Sequence, residues 1–243
     1  QFMSKQSKKP ILVEKKYLIP FIAITSMFFL WGVANDVTNP MVSAFKKVMP
    51  ELSNFQAALV QLAFYGGYGT MAIPAALFIR KYNYKSGILI GLLLYAIGAI
   101  LFWPAAVYEQ FTFFLMSLYI LTFGLAFLET TANPFILSLG DSRTATQRLN
   151  LSQAFNPIGS LMGMAIAQLI IIENLRSDDY SPDAYNALSP DQIAFIRQED
   201  LNIISEVYVG LGILIFAVMF VIFFIKIPGK DEKSKLSVKE NIS

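Results

Sequence analysis

Asp36 and Glu129 are the residues of this sequence placed to do chemistry. Asp36 stands in FFLWGVANDVTNPMV (28–42) and Glu129 in LETTANPF (128–135), each inside a long apolar run. A charge at the centre of a bilayer costs at least about 3 kcal/mol, so such residues face water, a partner or a solute path. No Lys or Arg stands at matching depth to pair with either acid. Protonation, hydration or a ligand remain as explanations, and desolvation strengthens a carboxyl group's hold on its proton. Two such acids on separate helices suit groups that take up and release a proton as access to water alternates. The sequence has no His, the usual near-neutral proton carrier, so proton chemistry falls to carboxylates. It has no Cys, which excludes disulfides and thiolate chemistry, and no phosphate-binding loop for ATP-driven work. No metal centre is expected.

Amides gather around these acids at helical spacing. Trp31, Asn35 and Asn39 follow one another at i, i+4 and i+8, with Asp36 beside them. Glu129 and Asn133 form an i, i+4 pair, and Gln153, Asn156 and Ser160 fall at i, i+3 and i+7. Asn and Gln both donate and accept hydrogen bonds, which suits a ligand rich in hydroxyls. An indole such as Trp31 offers a flat apolar face for a sugar ring. Any single amide is equally well explained as glue between membrane helices.

These side chains need helices at membrane depth to hold them. The chain is 55% hydrophobic and only 15% charged, whereas soluble domains carry about 25% charged residues. A spanning helix takes about 20 mostly apolar residues. Six runs qualify, roughly Tyr17–Phe45, Phe55–Ile79, Ser86–Val107, Phe111–Leu139, Leu149–Ile172 and Val207–Ile227. Lipid offers no partner to free backbone groups, so each run is expected to be helical. The predicted fold is an all-α integral membrane bundle of six transmembrane helices (17–227), after an N-terminal segment (1–16) and before a polar tail (228–243). Alternating the loops puts fifteen Lys and Arg on one side, and only Lys46, Lys47, Arg176 and Arg197 on the other. The basic side is cytoplasmic, so both termini of the chain are expected inside. Segregation of the positive charge into membrane loops argues against a nucleic-acid partner.

The long connection 173–206 is acidic and polar, and is expected to be a solvated extracytoplasmic loop. Within it, Ser189-Pro190-Asp191-Gln192 reads as a helix start. Ile193, Phe195 and Ile196 would let a short helix lie on the outer surface.

The chain also echoes itself. Asp36-Val-Thr-Asn39-Pro40 in the first run matches Glu129-Thr-Thr-Ala-Asn133-Pro134 in the fourth. Three spans separate the copies, so they cross the membrane in opposite directions, as expected of two inverted three-helix repeats. Each Pro removes a backbone donor and disturbs the preceding turn. Gly159, Gly163 and Ala167, and likewise Gly87 and Gly91, form small-residue ridges that let helices approach closely.

Four blocks in order, FFLWGVAND, YKSGILIGLLLYAIGAILFWPAA, LETTANPF and RLNLSQAFNPIG, resemble the L-fucose–proton symporter family of the major facilitator superfamily. The resemblance runs from about Ile19 to Pro228 and corresponds to the amino-terminal half of such transporters. It implies a twelve-helix fold of two six-helix bundles, with a sugar and a proton sharing a central cavity. It places the family's cavity glutamate on Glu129 and further cavity residues on Gln153 and Asn156. The family's first-helix acid falls on Asn39. Here that position holds an amide, and the acid stands one helical turn earlier at Asp36. The implied function is symport of L-fucose or a related monosaccharide in the bacterial cytoplasmic (inner) membrane, by alternating access. The proton is the coupling ion; no cofactor and no enzyme activity are implied. Glucose, galactose or an amino sugar are alternative substrates. A non-transporting six-helix membrane module and a homodimeric half-transporter are the alternative functions. Residues 228–243 then begin the central linker, and the cavity is completed by a carboxy-terminal bundle or by a second copy related by two-fold symmetry.

Overall fold

A computed structural model of the chain describes residues 11–225. The start of the N-terminal segment and the expected linker at 228–243 lie outside the described residues. Six helices in that range are long and apolar enough to cross a membrane: α1 (Lys15–Val48), α2 (Asn54–Lys81), α3 (Tyr84–Val107), α4 (Phe111–Ser138), α5 (Ser142–Asn174) and α6 (Pro190–Phe224). They match the six predicted runs, and no strand occurs among the described residues.

Local sequence sets several of the helix ends. Ser53 starts α2 with a capping box: its hydroxyl accepts from the Gln56 N–H at 3.1 Å, and the Gln56 side chain accepts from the Ser53 N–H at 2.9 Å. Asn83 caps α3 by accepting from the Ser86 N–H at 2.8 Å. Such caps satisfy backbone donors that have no partner inside the helix.

Proline interrupts three of the helices. α1 breaks at Asn39–Pro40, between segments Leu18–Thr38 and Met41–Val48. α3 is interrupted at Leu101, three residues before Pro104, and α5 at Ala154, three residues before Pro157. In each case the imide nitrogen has no hydrogen for the carbonyl four residues back. The echoed prolines therefore part company, because α4 runs unbroken through Pro134.

Packing follows the small residues. α1 lies along α5, and the contact is backbone on backbone: a side chain at Gly159 would collide with the Phe29 carbonyl, and one at Gly32 with the carbonyl of Asn156. α3 packs on α4 in the same way, with Gly91 against Gly124. α2 covers the other side of α4, and α6 lies along α3, where Tyr208 stacks on Phe102 with ring centroids 3.8 Å apart.

At one end of the bundle, Arg148 is fully buried. It is one of the fifteen Lys and Arg counted on the basic side. Its guanidinium donates to the carbonyls of Ile136 (3.3 Å), Leu137 (3.1 Å), Asp141 (3.0 Å) and Leu12 (3.2 Å), and to the Thr144 hydroxyl (2.6 Å). The last carbonyls of α4 have no helical donors, and a planar fork of N–H groups reaches several acceptors at once. Beside it, Arg143 pairs with Asp141 at 2.7 Å and holds that carboxyl below its usual range.

At the opposite end, the expected solvated loop is largely helical. The capping box at Ser189 and Gln192 forms as the sequence indicates, with the Ser189 N–H to Gln192 Oε1 at 3.0 Å. The helix it starts does not lie separately on the surface, because Pro190 to Phe224 is one continuous element. The segment before it is pinned by Asp200, which is fully buried and accepts from the N–H groups of Arg176 (2.6 Å) and Ser177 (3.1 Å). Ion pairs Lys47–Asp178 (2.5 Å) and Arg197–Glu51 (3.1 Å) tie this cap to α1 and to the turn after it.

Candidate solute and proton site

A cleft of about 430 Å³ opens between α1, α2 and α4. Trp31, Asn35, Asp36 and Asn39 line it from α1, Phe64, Tyr65 and Tyr68 from α2, and Glu129 from α4. The i, i+4, i+8 spacing on α1 puts the indole and two amides on this face, and the break at Asn39–Pro40 closes the stripe. Pro40 lacks the N–H that would serve the carbonyl of Asp36 in a continuous helix, so the helical bonding is interrupted next to the carboxylate.

Hydrogen bonds order the walls. The Asn39 amide donates to Asp36 Oδ1 at 2.7 Å. Trp31 Nε1–H donates to the Tyr68 phenol oxygen at 2.6 Å, joining α1 to α2 across the cleft. On the far face of α1, the Thr38 hydroxyl donates to the Ala34 carbonyl at 2.9 Å and lies 3.0 Å from the Tyr208 hydroxyl of α6. The side-chain oxygen of Asn35 is buried and accepts from nothing among the described residues. A buried polar atom without a partner carries a penalty of about 1–3 kcal/mol. Among the described residues no Lys or Arg lines the cleft, and neither Asp36 nor Glu129 has an ion-pair partner there. Among the described residues no three metal-ligating side chains gather.

The structure thus brings Trp31, Asn35, Asp36, Asn39 and Glu129 together, and places the other three candidates elsewhere. Gln153 Nε2 donates to Asn133 Oδ1 at 3.3 Å, bridging α5 and α4 outside the cleft lining. Asn156 Nδ2 donates to the Phe28 carbonyl at 3.2 Å, within the α1–α5 seam. Its amide has the helix-bridging role that single membrane amides commonly take.

Phe64, Tyr65 and Tyr68 were not anticipated. Their signal was weak, because aromatic residues at i, i+1 and i+4 of an apolar helix read as packing. The polar tip of Tyr68 in that run was the available clue, since a buried Tyr hydroxyl usually has a partner.

No family model matches the chain. Over 237 residues it is 56% identical to the L-fucose-proton symporter of Haemophilus influenzae, covering 96% of this chain and 55% of that protein. It is 37% identical to the L-fucose-proton symporter of Escherichia coli over 226 residues, 93% of this chain and 51% of that one. The chain belongs to the L-fucose–proton symporter family of the major facilitator superfamily. It is also 35% identical over 159 residues to a glucose/galactose transporter of Brucella abortus, covering 65% of this chain and 38% of that protein. Among solved structures, the Escherichia coli fucose:proton symporter FucP superposes with a TM-score of 0.76 at 37% identity, over 88% of this chain and 50% of that one. A FucP structure in the outward conformation gives the same TM-score at 39% identity. The chain spans about half the length of the curated relatives it matches, and what it matches is their amino-terminal half.

Proposed function

We propose that this chain is the amino-terminal bundle of a proton-coupled sugar symporter that takes L-fucose or a related monosaccharide through alternating access. The observation that carries the reading is the cleft itself: two carboxylates without cationic partners, Asp36 and Glu129, face one space with amides and aromatic rings. Aromatic faces suit the C–H side of a sugar, and amides and carboxylates suit its hydroxyls. A volume of about 430 Å³ lies within the range of small-molecule sites, about 300–1,000 Å³.

Coupling follows from the cost of burying charge. While the cleft is open to water, an ionised Glu129 or Asp36 is hydrated. Once the cleft closes, an unpaired carboxylate costs several kcal/mol, about the penalty for a desolvated ion in a protein. The closed form is therefore accessible mainly when the acids are neutral, and a proton moves with the sugar. Deprotonation on the opposite side favours reopening and release. A second six-helix bundle completes the cavity wall, from a longer chain or from a second copy. The distribution of Lys and Arg favours cytoplasmic termini in a bacterial inner membrane. The likeness to a glucose/galactose transporter keeps those hexoses in view as substrates.

The test is uptake of labelled L-fucose by full-length protein in proteoliposomes, with and without an inwardly directed proton gradient. Gradient-driven accumulation is expected for the parent and its loss for Glu129→Gln. Undiminished gradient-driven accumulation by Glu129→Gln would sink the reading.

A further inference from the structure

Tyr68 has a hydrogen-bonding vacancy that bears on the order of events in the cleft. Its phenol oxygen accepts from Trp31 Nε1 at 2.6 Å. A phenol that accepts still has its own hydrogen to donate, and among the described residues no group takes it. The indole fixes the phenol from one side, so the O–H has little choice but to point into the cleft. The ring itself is held by Phe64, one turn earlier, with centroids 5.5 Å apart.

Two carboxylates line the same space. Asp36 already accepts from Asn39 at 2.7 Å. Glu129 faces the cleft from α4, as Tyr68 does from α2. The remaining titratable neighbours are Tyr65, beside it on α2, and Tyr95 on α3, buried behind Trp31. Among the described residues no cation competes for Glu129 in the cleft.

We propose that Tyr68 contacts the substrate and sets the order of binding: its hydroxyl is donated to Glu129 while that carboxylate is ionised, and passes to a sugar hydroxyl once Glu129 is protonated. The proposal rests on the reading of the cleft as a joint proton and sugar site. A hydrogen bond to an ionised carboxylate is about twice as strong as one between neutral groups. The ionised acid therefore outcompetes a sugar for the phenol, and protonation removes that advantage. A sugar hydroxyl then accepts from Tyr68. Tyr68 keeps its proton throughout. The only proton that moves is the one taken up by Glu129 from water.

The experiment is calorimetric binding of L-fucose to the full-length protein across pH, for the parent and Tyr68→Phe. Parent affinity rises as pH falls through the titration of Glu129. Tyr68→Phe binds about tenfold more weakly at the acid end, the loss of one hydrogen bond, and matches the parent at the alkaline end, so the slope flattens. Trp31 emission, read in a Trp103→Phe background, steps with pH in the parent and loses that step in Tyr68→Phe. An equal loss of affinity at every pH assigns Tyr68 a purely structural role and overturns the proposal, as does no loss at all. Should Tyr68→Phe fail to fold, Trp31→Phe makes the same test, because the phenol then loses the group that aims it. A full pH slope in that variant overturns the ordering role. A parent that binds no sugar at any pH would instead defeat the proposed function.

Discussion

The side-chain amide of Asn39 donates to the carboxylate of Asp36 at 2.7 Å, one turn apart, where α1 breaks before Pro40. The resemblance implies the first-helix acid at Asn39, whereas this chain has an amide there and its acid one turn earlier. The bond makes them one unit. If the unit rather than the position matters, Asp36→Asn alone allows exchange of bound sugar but abolishes uphill accumulation. The double variant Asp36→Asn/Asn39→Asp recovers accumulation. Counterflow and gradient-driven uptake in proteoliposomes separate the two, and a dead double variant would argue that the position itself is required.

The α1–α5 seam leaves no room for a side chain at Gly159. Gly159→Leu overpacks a backbone contact, where insertion of extra volume costs about 1–3 kcal/mol even in side-chain cores. A fall in melting temperature in detergent is expected, larger than for Gly69→Leu on α2, where the space is open.

Arg148 offers a sharper case. It is fully buried and bonds four carbonyls and one hydroxyl. Hydrogen bonds from a charged group contribute about 1.5–3 kcal/mol each, without simple additivity. Arg148→Met should drop thermal stability steeply, and Arg148→Lys should rescue little, since an ammonium cannot fork across the end of α4. Thermal unfolding of both variants decides this; full rescue by Lys would show that charge alone is enough.

Asp200 pins the cap through two backbone N–H groups. Asp200→Ala frees the segment 175–189, and limited proteolysis should cut there in the variant well before the parent. The membrane helices should melt at nearly the parent temperature. Resistance equal to the parent would mean that the ion pairs to Lys47 and Arg197 hold the cap unaided.

The fold was readable because spans need length and apolarity, and both are written in the chain. The acids were readable because a carboxylate in an apolar run is rare. What escaped were relationships between helices. Periodicity put Asn156 on a polar stripe but did not say that its neighbour would be the Phe28 carbonyl instead of the cleft. Tyr68 read as packing because its partner, Trp31, lies on another helix. The burial of Arg148 was not legible because its acceptors come from the end of α4 and from Leu12. The run 190–206 read as loop because its composition is polar, although its capping box starts a helix that continues through the membrane.

The break at Asn39–Pro40 leaves Met41–Val48 as a separate outer piece of α1, joined to the cap through Lys47 and Asp178. That piece and the cap form a lever with its handle in the aqueous phase. On the proposed function, a binder raised against the cap would arrest uptake through α1 without entering the cleft or competing with the solute.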